Sequence, residues 1–401
     1  MKATDLDKLS EFINVPREAA ELLAYPEKQV KLNLNFRLED GSLTRTDAFI
    51  AYYNTARGPA KGGIRIDQGV TLQETTNLAE LMAWKTALMG VPFGGGKAGI
   101  KLDPRRFNKP QKGIVLREFV HLNKADLLSG HYIPAPDMGS SEHEMAIIFG
   151  ETHMFESVTG KPPRIGGLPG RREATGRGLA TCVLAAAENI LEIKSCDFSV
   201  ALQGFGNVGS WTAKFLRDAG VRIVAVSDID GGLFRKDGLD IEDLLKWNRD
   251  GKKLVDYPDA EQIPRDDVLS LDVDILIPAA TGNVFTREVA QDVNARMIVE
   301  GANNPTPPAG DDVFKELGIP IVPDILANSG GVIASYVEWR KAKSGSLTPR
   351  EEVYDILDDL ISKGLTRVLQ AANQWKTTYR QAALALAIDE VIKAMEDRGW
   401  F

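Results

Sequence analysis

The chain has 401 residues, 43% of them hydrophobic and 26% charged, a globular composition that excludes disordered, collagen-like and fibrous chains and predicts two domains. Forty-eight Lys plus Arg against 56 Asp plus Glu leave a net charge of −8, which argues against an extended basic face for nucleic acid or anionic lipid and for a small-molecule partner. Cys182 and Cys196 are the only cysteines and form no CxxC pair, and the opening MKATDLDKLSEF lacks a leader's apolar run, so the expectation is a reduced, cytoplasmic protein without a disulfide scaffold or cysteine zinc site.

Residues 30–38 alternate, with Val30, Leu32, Leu34, Phe36 and Leu38 on one face and Lys31, Asn33, Asn35 and Arg37 on the other, the pattern of a half-buried strand. Asp40-Gly41 tolerates a positive φ and a second β-rich run covers 46–53, which predicts a hairpin in a mixed sheet. Thr71 and Glu74 form a capping-box pattern ahead of a helix that reaches Gly90. Leu78, Leu81, Met82, Leu88 and Met89 keep its helical spacing, and Lys85 interrupts that stripe. An ammonium there either snorkels to water or serves as a cationic anchor.

From about residue 175 short apolar runs alternate with helical stretches: FSVALQ (198–203), RIVAV (222–226), VDILIP (273–278), MIVEG (297–301) and IPIVP (319–323). Strands alternating with helices predict βαβ units and a parallel sheet. Thr348-Pro349-Arg350-Glu351 then opens the C-terminal helices, which end before Gly399.

GFGNVG (204–209) follows one of these strands and opens a helix, the context in which GxGxxG binds a dinucleotide. Gly204 permits the tight turn, Gly206 lets the backbone approach a pyrophosphate and Gly209 lets helix and strand pack closely, with Asn207 and Val208 in the same turn. RIVAV ends just before Asp228, whose carboxylate suits ribose hydroxyls and repels a 2′-phosphate, favouring NAD; NADP stays open through Arg222, Arg235 or Lys236. VPFGGGKAG (91–99) reads as a glycine-rich loop without Walker spacing. Lys97 within it and Lys61 in GPAKGGIR sit among glycines; they are either scattered surface lysines or amines held close to a ligand, where desolvation and neighbouring cations tune a lysine for acid–base work. IPAPDMG (133–139) holds Asp137 in a rigid loop, either as a site residue or as a turn cap. None of the four histidines belongs to an HxxxH or HExxH pattern, so no metal is expected.

ARGPAKGGIR (56–65), LAELMAWKTALMGVPFGGGKAG (78–99), IPAPDMG, EATGRG (173–178), ALQGFGNVG (201–209), EGANNPT (300–306) and ANSGGVIASYVEW (327–339) together resemble the glutamate/leucine/phenylalanine/valine dehydrogenase family. The resemblance implies an α/β fold of two domains with the active cleft between them: a substrate-binding and oligomerisation domain with a mixed sheet (1–174 and 350–401) and a Rossmann-type dinucleotide domain (175–349). It implies that Lys85 holds the substrate α-carboxylate, Lys97 polarises the carbonyl or imine and activates water, and Asp137 shuttles a proton with the amino group. Lys61 and Ser335 match the positions for a glutamate γ-carboxylate, which leucine and phenylalanine dehydrogenases generally fill with apolar residues. Thr175, Asn303 and Asn328 match positions along the cofactor.

The expected reaction is NAD(P)-dependent oxidative deamination of L-glutamate to 2-oxoglutarate and ammonia by a homo-oligomer, most often a hexamer. The alternatives are another amino acid (Leu, Val or Phe) and a weakly active ligand-sensing subunit paired with a paralogue. Three departures from the family pattern stand out: Ala98 beside the catalytic lysine, Leu168 in GGLPGR, and TGN at 281–283.

Overall fold

The computed structural model describes Leu6 and residues 8–401, and the chain divides into two compact units. The first comprises Met1–Arg171, Val332–Val353 and Leu384–Phe401; the second comprises Arg172–Gly331 and Tyr354–Ala383.

The first unit is built on a five-stranded mixed sheet of β1 (Lys28–Arg37), β2 (Leu43–Asn54), β3 (Ala60–Ile66), β4 (Gly94–Ile100) and β5 (Tyr132–Pro136), in the order β1-β2-β4-β3-β5. The alternating segment and its partner form the expected hairpin, in unbroken antiparallel register from Lys28 opposite Tyr52 to Arg37 opposite Leu43. Leu34, Phe36, Ile50, Ile64 and Ile100 turn inward against Val115, Leu116 and Phe119 of the helix Lys109–Leu122 and Met145 and Ile148 of the helix Glu142–Thr152.

The run 94–100 is not a loop but the middle strand of this sheet, buried along its whole length. Its glycines serve close approach. A Cβ on Gly95 would lie 2.3 Å from the Ala79 carbonyl oxygen, and one on Gly62 in β3 would lie 1.6 Å from that of Gly96. Only hydrogen fits, so the helix Leu72–Leu88 settles directly onto β4 and carries Lys85 into the interior. Thr71 caps this helix by accepting the Glu74 N–H at 3.1 Å. The Glu74 carboxylate pairs with Arg65 at 2.6 Å. Strand alternation sends the Ala98 methyl into the core with Ile50 and Ile64, on the face opposite Lys97.

The second unit carries a seven-stranded sheet of β6 (Ser199–Gln203), β7 (Arg222–Ser227), β8 (Gly232–Phe234), β9 (Glu261–Ile263), β10 (Ile275–Pro278), β11 (Met297–Val299) and β12 (Ile321–Val322), in the order β12-β11-β10-β6-β7-β8-β9. The five predicted strands form its parallel part; β8 and β9 add an antiparallel edge. Because β6 lies between β7 and β10, the strand order reverses there, and the crevice at the carboxyl ends is where such sheets bind ligands.

The C-terminal third is divided differently from the expected 175–349 and 350–401. Val332–Val353 joins the first unit and Tyr354–Ala383 the second. Each of the helices Gly330–Ser344, Arg350–Trp375 and Tyr379–Asp397 contains one of these boundaries, and helical periodicity tells that a face is buried without telling in which core. Among the described residues no helix is long and apolar enough to cross a membrane.

Glycine packing gives a direct test. Gly62→Ala is expected to lower unfolding stability by about 1–3 kcal/mol, as overpacking against a backbone does. Gly150→Ala, on an exposed helical position with nothing within 4 Å, is expected to raise it by about 0.5–1 kcal/mol. Denaturant titration of the two variants reads both signs.

Candidate active site and dinucleotide cradle

In the first unit β3, β4 and β5 align three of the chemistry-bearing residues: Lys61 on β3, Lys97 on β4 and Asp137 just beyond β5. Lys97 and Asp137 form a buried ion pair, and Arg65 reaches the other carboxylate oxygen at 3.2 Å. Gly63 leaves room for this, since a Cβ there would lie 2.7 Å from that of Asp137. The Ser140 hydroxyl accepts the Asp137 N–H and donates to the Ile64 carbonyl, and the carboxylate accepts the Met138 N–H. Asp137 is therefore both a turn cap and a member of the charged cluster. Burial pushes its carboxyl up, but Lys97 and Arg65 together outweigh this and bring it down to about 2.

Lys61 is 1% exposed and has no hydrogen-bond or ion-pair partner among the described residues. Burial pushes its ammonium well below the usual lysine range; Arg171, Lys97 and Lys161 push the same way, and only Glu338 opposes them. Glu338 is itself committed: it is fully buried, 2.8 Å from the Lys161 ammonium, and accepts the Gly160 and Lys161 N–H groups. Ser335, 2% exposed, lies one turn before Glu338 on the helix Gly330–Ser344. Lys85 is 4% exposed, so its stem is not snorkelling.

Arg65, Arg171, Lys161 and Glu338 were not singled out by the sequence. Arg171 follows the GGLPG turn, and its Nε is buried without a partner; burial lowers its guanidinium and Glu338 resists. Five cations (Lys61, Lys97, Lys161, Arg65 and Arg171) thus share three carboxylates: Asp137, Glu338 and, through Arg65 alone, the half-buried Glu74. A pocket with this surplus suits a small polyanion, because removing a charge from water is costly unless it is paired.

The second unit holds a cavity of about 930 Å³ at the carboxyl ends of β6, β7 and β10. Gly204, Gly206, Asn207, Val208 and Asp228 line it. Gly209 lies beneath: its Cβ would fall 1.8 Å from the Gly204 carbonyl oxygen, so only glycine lets the helix Asn207–Asp218 meet the strand. A Cβ on Gly206 would meet nothing within 4 Å, and this N-cap has no side chain to occupy the helix's first N–H groups. The opening, the unblocked helix N-terminus and the cavity fit a dinucleotide pyrophosphate.

One Asp228 oxygen accepts the Asp230 and Gly231 N–H groups at 2.8 and 3.3 Å. Asp266, Asp267 and Asp292 also line the cavity; its one cation, Arg265, is paired to Asp266 at 2.9 Å, and Arg222, Arg235 and Lys236 do not line it. Thr175 lies half-buried in the first turn of the helix Ala174–Ile190. Asn303 and Asn328 meet each other, Asn328 Nδ2 donating to Asn303 Oδ1 at 3.0 Å and to the Gly301 carbonyl at 3.1 Å. These three do not line the cradle itself.

Residues 166–399 match the Glutamate/Leucine/Phenylalanine/Valine dehydrogenase model, and residues 26–154 match the dimerisation domain of the same dehydrogenases. A glutamate dehydrogenase of Thermotoga maritima is 36% identical, covering 100% of this chain and 97% of that one. An NADP-specific glutamate dehydrogenase of Saccharolobus shibatae is 38% identical over 98% and 95%. Among solved structures, the leucine-bound hetero-hexameric glutamate dehydrogenase of Thermus thermophilus superposes with a TM-score of 0.92 at 30% identity, covering 99% of this chain and 96% of that one. With a charged pocket on one sheet, a dinucleotide cradle on the other and matches of this extent, the chain belongs to the glutamate/leucine/phenylalanine/valine dehydrogenase family.

Proposed function

We propose that this protein is a glutamate dehydrogenase, catalysing the reversible NAD(P)-dependent oxidative deamination of L-glutamate to 2-oxoglutarate and ammonia. The observation that carries the substrate choice is the buried, unpaired Lys61 ammonium with Arg171 beside it. A leucine, valine or phenylalanine side chain would leave both cations facing apolar groups, at a cost of several kcal/mol. A second carboxylate supplies the missing counter-charge. Lys61 and Arg171 hold that carboxylate, Ser335 adds a hydroxyl, and Lys85 takes the α-carboxylate.

The bound coenzyme supplies a hydride acceptor in the oxidative direction. Asp137, held ionised by Lys97 and Arg65, takes a proton from the substrate ammonium, which readies the nitrogen lone pair to form the imine as Cα gives up its hydride. Lys97 polarises that protonated imine and orients the water that adds to it, which gives up one proton to solvent as the carbinolamine forms; Asp137 returns its proton to the nitrogen as ammonia leaves, and the hydroxyl proton goes to solvent as the carbonyl forms. Reductive amination runs the same steps backwards. The Lys97–Asp137 pair favours turnover over a sensing subunit, which would need no proton shuttle. NAD is the proposed coenzyme, supported by Asp228, Asp266 and Asp267 and by the engagement of Arg265 with Asp266, since carboxylates repel a 2′-phosphate. The proposed assembly is a homo-hexamer, by analogy with hexameric relatives, and the proposed location is the cytoplasm, in keeping with two free cysteines.

Initial rates at the reduced-nicotinamide band, with NAD and NADP across glutamate, leucine, valine and phenylalanine, test the proposal. Turnover is expected on glutamate with NAD, and activity confined to an apolar amino acid refutes it. Lys61→Leu should lower kcat/KM for glutamate about 100-fold, equivalent to about 2.7 kcal/mol, and shift relative preference toward apolar amino acids. Lys97→Ala should cost about 10²–10⁴ in kcat, with coenzyme affinity unchanged by equilibrium titration.

A proton balance follows from Lys61. Its pKa is depressed in the free enzyme by burial, Arg171, Lys97 and Lys161 against Glu338, and an incoming carboxylate raises it, so at any pH where part of the free enzyme carries Lys61 unprotonated, binding takes up a proton. Affinity for glutarate, an unreactive dicarboxylate, should therefore fall as pH rises above the free-enzyme pKa. Calorimetry in buffers of different ionisation enthalpy should show net uptake, lost in Lys61→Leu.

A further inference from the structure

Behind the asparagine pair of the second unit lies a buried charge network that the proposed chemistry does not use. Glu300 follows β11 and is fully buried. Each of its carboxylate oxygens has two donors. Oε1 accepts the Thr306 hydroxyl at 2.6 Å and Arg380 Nη2 at 2.7 Å; Oε2 accepts the Asp324 N–H at 3.0 Å and Arg380 Nη1 at 3.0 Å. Arg380 comes from the first turn of the helix Tyr379–Asp397 and also donates Nε to Asp311 at 2.8 Å.

The residues tied to Glu300 bracket the asparagines. Glu300 and Thr306 are the two ends of the loop 300–306, so one side chain staples it shut. Asp324 opens the short helix Asp324–Ala327, which leads to Asn328. The Asp324 carboxylate, 2% exposed, accepts the Asn304 N–H at 2.8 Å. Asn304 has φ 47°, a left-handed conformation that a non-glycine residue holds only when its surroundings fix it. Asn303, next in the chain, receives the amide of Asn328.

We infer that Arg380 is a positioning residue for the coenzyme: by its fork on Glu300 it fixes the 300–306 loop and the start of the 324–327 helix, and so sets the Asn303–Asn328 pair along the coenzyme. The inference rests on the proposed dehydrogenase function and on the placement of those two asparagines along the coenzyme that the family resemblance implies. Glu300 accepts the Asp324 N–H, and Arg380 is the cation paired with the buried Glu300 carboxylate; desolvation and Asp324 raise the Glu300 carboxyl above its usual range while Arg380 opposes them. A planar guanidinium bound through two nitrogens fixes orientation as well as charge. An ammonium would keep the charge and lose the orientation.

The test uses the full-length enzyme and NADH as probe. Arg380→Lys is expected to raise the Kd for NADH, followed by its fluorescence, several-fold, and Arg380→Met at least tenfold. KM for coenzyme should rise in parallel, and glutarate affinity without coenzyme should change less than twofold. Thr306→Val, which cuts one tie of the loop and leaves the ion pair intact, should also raise the Kd; with Arg380→Lys it carries the test if Arg380→Met does not fold. Asp311→Asn should leave the Kd within twofold. Asn328→Ala separates the two levels of the argument. If it raises the Kd for NADH while Arg380→Lys and Thr306→Val lower the melting temperature without moving that Kd, Arg380 is merely structural and the inference is overturned alone. If Asn328→Ala and Asn303→Ala leave the Kd unchanged, the placement of the asparagines falls and the inference with it.

Discussion

The charged pocket of the first unit is organised by a surplus of positive charge, most of it buried. Burying an ammonium without a counter-ion is among the more expensive things a fold can do, and here Lys61, Lys97, Lys161, Arg65 and Arg171 share Asp137, Glu338 and, through Arg65 alone, the half-buried Glu74. These carboxylates are not spread evenly. Glu338 is consumed by Lys161 and two backbone N–H groups, and Asp137 by Lys97 and Arg65. What remains short of charge is the corner holding Lys61 and Arg171. An incoming anion restores the balance, so specificity and affinity share one electrostatic cause.

Such a pocket demands a rigid frame, because a mobile one would let water in or let the cations move apart. The frame comes from the residues with the smallest side chains. Gly62, Gly95 and Gly96 let the 72–88 helix and strands β3 and β4 approach to distances that a methyl would forbid. Lys85 and Lys97 thereby reach the interior from rigid elements rather than loops. The fully buried Lys161–Glu338 pair adds a fixed point on the helix that also carries Ser335. Removing either partner would strand a buried charge.

The sequence revealed the parts whose signal is local. The alternation from Val30 to Leu38 set both the hairpin and its inward face, and GFGNVG between a strand and a helix marked the cradle, whose Gly204, Gly206, Asn207, Val208 and Asp228 do line one cavity. The middle strand β4 escaped because glycines have low strand propensity and no side chain to show a period. β8 and β9 are three residues each, too short for periodicity to register. Arg171, Glu338 and Arg380 escaped for another reason. Each acts on residues about 70 to 280 positions away in the chain, and nothing in their own neighbourhood distinguishes them from surface charges.

The departures from the family pattern can be judged by the side of the chain they occupy. Ala98 replaces a glycine next to Lys97, but a strand sends consecutive side chains to opposite faces, and the methyl packs among Ile50, Ile64 and Ile100. It adds apolar contact to the core and leaves the Lys97 face unaltered. Leu168 is 2% exposed and lies three residues before Arg171, in the turn that delivers that guanidinium; the Arg171 N–H donates to its carbonyl at 3.2 Å. A leucine can serve here because the turn's hydrogen bond is a backbone bond, indifferent to the side chain. Both replacements thus fall where the fold reads volume or backbone rather than chemistry, and the charged groups keep their geometry.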